Sequence, residues 1–250
     1  MFFDDNIYTA ALDARAFTSR LSTSGYGSIA GMAGESIDDI LVKHYPVLYH
    51  MTSPDAWETI QRLGLLSTSR LLDLFEVHGP ERAAIEEARR PESVRLEHPM
   101  HGSVVIRDNK PLSIVRLEKC LVDMTVPEYL KMLNSRVFFW LHPSRLQGLR
   151  DARAYREQEQ LILQFDTRRI LEQYRDHISL SVINSGATVH TPPPRGSFTF
   201  QRLDDFDYEA SYRKRGQAKA IAELVIEGGV TTAFNMILGS SSHCVGHRGL

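Results

Sequence analysis

The chain has 250 residues, enough for one domain with a substantial core and short appendages. Its 42% hydrophobic and 24% charged residues are ordinary for a folded globular chain. A formal net charge of −2 excludes a molecule basic all over, so a polyanion would have to meet a local patch. No apolar run approaches the roughly 20 residues a membrane helix needs. The segment Met1-Phe2-Phe3-Asp4-Asp5 lacks the basic and apolar regions of a signal peptide, and Cys120 and Cys244 are too few for a disulfide framework or a thiolate metal site. A cytoplasmic protein with free thiols and no membrane partner is the expectation.

Residues 1–45 read as an N-terminal appendage. Residues 22–28 and 31–34 are small and Gly/Ser-rich, and Glu35 to Tyr45 is a short helix with Ile37, Ile40, Leu41 and His44 at helical spacing. The main domain is expected over 46–238. Val47 to His50 is its first core strand. Ser53-Pro54 then opens a helix with Trp57, Ile60 and Leu63 on one face, and Gly64 is placed to stop it. Ser69 to Val77 is helical, and Glu81 to Arg90, rich in Ala, Glu and Arg, is expected as an exposed helix. Ser103 to Arg107 has strand character, Val126 to Leu133 is helical, and Arg136 to Leu141 is an aromatic strand. Pro143-Ser144 starts a helix with Leu146 and Leu149 inward and Arg145, Arg150 and Arg153 outward.

Leu161 to Phe165 is a strand, Thr167 to Tyr174 a helix, and Ile178 to Ile183 a strand-like run ending at the turn Asn184-Ser185-Gly186. The triple proline at 192–194 begins a long polar loop running to about Gln217. Ile221 to Ile226 is a strand, Thr231 to Leu238 the last helix, and 239–250 a flexible tail. Short strands alternating irregularly with short helices imply an α+β fold rather than a doubly wound parallel one. No glycine-rich phosphate loop of either common type occurs, so a nucleotide would bind by another route.

Three features carry chemistry. Glu223 sits in the run Ala222 to Val230, on one strand face with Val225 and Glu227. That face is either solvated or the floor of a cleft, where a carboxylate could hold a hydroxyl or take a proton. His50 and Thr52 point the same way on their strand; His50 is either a structural residue or a hydrogen-bond donor to a ligand ribose. Arg107, at a strand end, is either a surface ion-pair partner or a fixed cation for a diphosphate. Arg136, Arg145, Arg150, Arg153 and Arg156, with Arg213, Lys214 and Arg215, form either solvated faces or a patch for a phosphate backbone. His243, Cys244 and His247 lack a fourth ligand, and no metal site is expected there.

Tyr49-His50-Met51-Thr52 followed by a helix, then Phe138-Phe139-Trp140-Leu141-His142-Pro143-Ser144-Arg145, then Ala222-Glu223-Leu224-Val225, form an ordered set. In order and spacing this set resembles the DarT-type DNA ADP-ribosyltransferases, over roughly residues 46–238. The resemblance implies an ADP-ribosyltransferase-like split, mixed β-sheet core flanked by short helices, with NAD as substrate. His50, Thr52, Phe139 and Arg145 would bind NAD, Glu223 would be the catalytic glutamate, and Arg107, ahead of Arg89, Arg90 and Arg95, the catalytic arginine. The segment from Thr191 to Gln217 would be the substrate-recognition loop. A nucleic-acid acceptor, a toxin role and an antitoxin partner would follow. The alternatives are an NAD glycohydrolase, an RNA 2′-phosphotransferase, or a non-catalytic nucleotide- or protein-binding domain. In the chemistry implied, a carboxylate near the ribose stabilises the positive charge that builds as the nicotinamide bond breaks, and it activates the incoming nucleophile.

Overall fold

The computed structural model describes residues 34–243 apart from 154 and 189–190. The Gly/Ser-rich start and the end of the expected tail lie outside the described residues. The chain divides after Glu35, and the body from Ser36 onward holds every element named below.

Helix α1 (Ile37–His44) is capped by the Ser36 hydroxyl, which accepts from Asp39 N, and it buries Ile40 and Leu41. It therefore belongs to the body, not to the appendage expected over 1–45. Asp38 fixes it further through a 2.8 Å ion pair with Arg175. Strand β1 (Val47–Thr52) follows, then a 3-10 turn and α2 (Trp57–Leu63), which Gly64 ends with φ 86°. Next come β2 (Leu65–Leu66), α3 (Thr68–Leu74), α4 (Gly79–Glu86), the hairpin β3 (Val94–His98) and β4 (Gly102–Ile106), α5 (Ile114–Cys120) and α6 (Val126–Asn134).

The helix expected to be exposed, α4, is half-sunk. Ile85 joins Leu72, Phe75, Leu96 and Val104 in a core of its own, and Glu86 is buried because Arg82 and Ser69 both hydrogen-bond it. Strand β3 was not anticipated, although Val94 and Leu96 alternate with Arg95 and Glu97.

After α6 come β5 (Arg136–Trp140), α7 (Pro143–Arg150), β6 (Gln160–Asp166), α8 (Thr167–Tyr174), β7 (Ile178–Ser181), β8 (Gln201–Arg202), α9 (Tyr208–Arg215), α10 (Gln217–Ala220), β9 (Glu223–Glu227), β10 (Gly229–Val230) and β11 (Ile237–His243). The loop expected over Thr191–Gln217 is folded. Leu203, Phe206 and Tyr208 bury themselves from within it, and Asp207 caps α9 by accepting from Ala210 N. The last expected helix shrinks to a 3-10 turn, and the chain taken for a tail pairs as β11 with β6, where ladder bonds outweigh a weak strand composition.

The main sheet has seven strands in the order β11-β6-β1-β5-β9-β7-β8. Every ladder in it is antiparallel, not mixed as expected. It is split as expected. Strand β1 pairs with β6 along six residues but meets β5 at one rung, Tyr49 opposite Trp140. That rung continues through Trp140 opposite Glu223 and Glu223 opposite Ser181. Beyond it β1 and β5 diverge, opening a wedge bordered by His50 and Thr52 on one side and Phe138 and Arg136 on the other.

The ribbon of β2 and β10 depends on Gly229, whose φ is 109° and whose missing Cβ would collide with Leu65 O and Leu66 Cα. Gly216 also has a positive φ, 74°, but faces open space. Gly229→Ala is therefore expected to cost about 3 kcal/mol of unfolding free energy, and Gly216→Ala about 1 kcal/mol. Urea titrations of the two variants measure this, and equal losses would contradict it.

Candidate active site

The wedge opens into a cavity of about 990 Å³. His50, Thr52, Arg107, Arg145 and Glu223, far apart in sequence, all line it. Phe139 does not: fully buried, it packs edge-on against Phe165 and lies 5.9 Å from the His50 ring, so it supports the wall from behind. Its neighbours Phe138 and Trp140 line the cavity instead. Pleating explains the difference, because successive side chains of β5 point to opposite faces.

The same rule places Glu223 on the face of Tyr49 and Trp140, and His50 on the other. Both reach one cavity because β1 and β5 separate between them. His50 Nδ1 lies 2.9 Å from Phe138 O, a carbonyl that no β1 residue pairs with at this point in the sheet. Enclosure in the wedge, with Arg107 nearby, lowers the imidazole pKa to about 4, so the ring is neutral at pH 7. A carbonyl only accepts, so Nδ1 carries the hydrogen and Nε2 is left as an acceptor. The expected donor to a ribose is therefore an acceptor for a hydroxyl.

Glu223 is 2% exposed, which removes the solvated-face reading; Glu227, two residues on, is exposed. Ser185 holds its carboxylate: the backbone N–H lies 3.2 Å from each oxygen and Oγ donates to Oε2 at 2.7 Å. Burial raises the pKa to about 7, against the pull of the Ser185 bonds and of Arg145 and Arg195. A carboxyl poised near neutrality in a cavity is suited to general acid–base work.

The lining is cationic. Arg90, Arg107, Lys110, Arg136, Arg145 and Arg153 stand against two carboxylates, Glu223 and Asp108. Arg107 donates to Met51 O and to Gln160 Oε1 and lies 4.2 Å over the Tyr155 ring; burial lowers its pKa. Of the rival arginines, Arg89 is tied to Leu112 O, Arg95 is exposed on β3, and Arg90 spends its fork on Arg107 O, Ile85 O and Asn134 Oδ1. Arg145 turns inward rather than outward as expected, donating to Ala218 O and Lys219 O beside Glu223.

No residue of 191–217 lines the cavity. Its contribution is Arg195, fully buried behind Ser185, a residue that no pattern in the sequence singles out. Ser185 was visible only as part of a turn.

The model of DUF7002, a family of unknown function, matches residues 46–237. The chain belongs to that family. The match takes in all the cavity-lining residues, from His50 to Glu223, so the wedge lies inside the DUF7002 region. No curated protein matches the chain. Among solved structures, the DUF7002 chain is similar to DarT of Thermus sp. 2.9 in complex with NAD+, at 15% identity over 77% of this chain and 79% of that one. The TM-score of 0.34 is too low to carry an argument. Among the described residues no His/Cys/Asp/Glu cluster could hold a metal, and no helix is long and apolar enough to cross a membrane.

Glu223 and His50 have opposite titration signatures. Glu223 titrates near 7 in the fold against an ordinary 4.5, so the folded state binds the proton more tightly and stability falls as pH rises through that window. His50 titrates near 4 against 6.5, so the unfolded chain takes up the proton first and stability rises with pH between those values. Glu223→Gln removes only the first slope. Its stability relative to wild type should grow by about 3 kcal/mol between pH 4.5 and 7 and stay level above. Denaturant melts across pH measure this, and a pH-independent difference would contradict it.

Proposed function

We propose that the protein is an NAD-dependent mono-ADP-ribosyltransferase with Glu223 as its catalytic carboxylate. The observation that carries this reading is a buried carboxyl titrating near 7 in a cavity whose other charges are mostly arginines and which also presents a neutral histidine acceptor. Each part matches a part of the substrate. Guanidinium groups such as Arg107 and Arg145 suit a diphosphate. Nε2 of His50 suits a ribose hydroxyl, with Thr52 beside it. Glu223 suits the sugar carbon on which positive charge develops and the nucleophile that attacks it. The order of the His/Thr, aromatic and Glu motifs, with their resemblance to DarT-type enzymes, supports the same assignment.

A nucleic-acid acceptor is favoured by the charge at the cavity edge. Arg145 joins α7 to α10 and lines the cavity with Arg153. Burial, and then Arg215 at the end of α9, lower the Arg145 pKa. Lys214 is exposed beside Arg215 in sequence, while Arg156 and Arg213 pair with Glu157 and Glu209. Cations at these positions suit a phosphate backbone where the overall charge does not. A toxin role, with an antitoxin to hold it in check, follows from the resemblance. It predicts growth arrest on expression that Glu223→Gln relieves.

Incubation with labelled NAD and separate DNA, RNA and protein pools, read by mass spectrometry, tests the reading. The expected result is transfer of ADP-ribose to nucleic acid, with Glu223→Gln lowering kcat at least about a hundredfold and KM for NAD far less. ADP-ribose released with no acceptor would make the protein a glycohydrolase acting at the same site. No NAD consumption by wild type, or a Glu223→Gln variant equal to it, would overturn the assignment.

A further inference from the structure

Glu223 is held by a second layer of residues that never reaches the cavity. Ser185 is fully buried and contributes both its N–H and its hydroxyl to the carboxylate. Its own carbonyl is gripped in turn: Arg195 Nη1 donates to it at 2.8 Å and Tyr129 OH at 3.2 Å. The same Arg195 nitrogen reaches Ala187 O at 3.2 Å, and Nε reaches Pro193 O, so one guanidinium ties the turn after β7 to the segment that follows it.

Arg195 is fixed through its backbone. Its N–H donates to Cys120 O and its carbonyl accepts from Val122 N, while Asp123 accepts from Ser197 N and Oγ just beyond. This is costly chemistry. Arg195 is 0% exposed, and its side-chain hydrogen bonds go to the carbonyls of Pro193, Ser185 and Ala187. Its Nη2 is buried without a hydrogen-bond partner among the described residues. A buried cation held by carbonyls is retained at a desolvation penalty unless a nearby charge offsets it. The carboxylate it acts on is Glu223, across Ser185.

We propose that Arg195 and Ser185 are positioning residues: Arg195 clamps the 185–187 turn so that Ser185 fixes the Glu223 carboxylate in one orientation toward the cavity. The role rests on Glu223 being the reactive group of the proposed function. The charged and titratable groups facing that carboxylate are Arg145 from α7, Arg195, and Tyr129 from α6. Only Arg145 lines the cavity with it. The clamp therefore acts on Glu223 from the closed side.

Carbon-13 NMR of glutamate-labelled full-length protein reads the Glu223 titration directly, with the resonance assigned by its loss in Glu223→Gln. Ser185→Ala should raise the midpoint by about one pH unit, the worth of one hydrogen bond to an ionised group. Arg195→Lys, which keeps the charge and loses the fork, should raise it by less. At pH 7 Ser185→Ala should lower kcat about tenfold and leave KM for NAD within about twofold. An unchanged midpoint in either variant, or an unchanged kcat in Ser185→Ala, would overturn the positioning role. A wild type that ignores NAD while its Glu223 midpoint still moves in both variants would overturn the proposed function and uphold the clamp.

Discussion

The hydrogen bond between His50 Nδ1 and Phe138 O is the interaction on which the site depends. Two antiparallel strands that pair at one rung and then part expose backbone groups that must find partners elsewhere. The imidazole supplies one partner and sets a neutral ring into the wall of the wedge. It keeps β1 and β5 apart while leaving Nε2 available. The cavity, the approach of Arg107 to Met51 O, and the joint access of His50 and Glu223 all follow from that separation.

Glu223 occupies the rung that joins the two halves of the sheet, two strands from β1 and beside Trp140. This is a rigid place for a group that needs fixed geometry. Burial pushes its proton affinity up, and Ser185, Arg145 and Arg195 pull it back toward neutrality. The balance leaves a carboxyl that holds or releases a proton near pH 7, which neither an exposed glutamate nor an unassisted buried one would do.

Much of the architecture was legible locally. Helix α8 follows the Asp166 cap and a clear apolar stripe, and Gly64 ends α2 where its left-handed backbone requires a glycine. Strand β11 was not legible, because a Gly/Ser run forms a strand only when β6 offers it a ladder. The burial of Glu86 depends on Arg82 and Ser69. Of the cavity lining, His50, Thr52, Arg145 and Glu223 are legible from motif order, whereas Arg107 stands in no motif and shares its interval with Arg89, Arg90 and Arg95. Phe139 lies one residue off the pleat that faces the cavity, where Phe138 and Trp140 stand. Ser185 and Arg195 have no motif, since their roles arise from contacts between segments distant in sequence from Glu223.

The tautomer of His50 tests the account most directly. Nitrogen-15 NMR of histidine-labelled protein at pH 7 should show a neutral His50 ring protonated on Nδ1, with the Nε2 resonance moving when NAD is added. A ring protonated on Nε2, or an Nε2 resonance indifferent to saturating NAD, would contradict the account of the wedge as the place where the substrate binds.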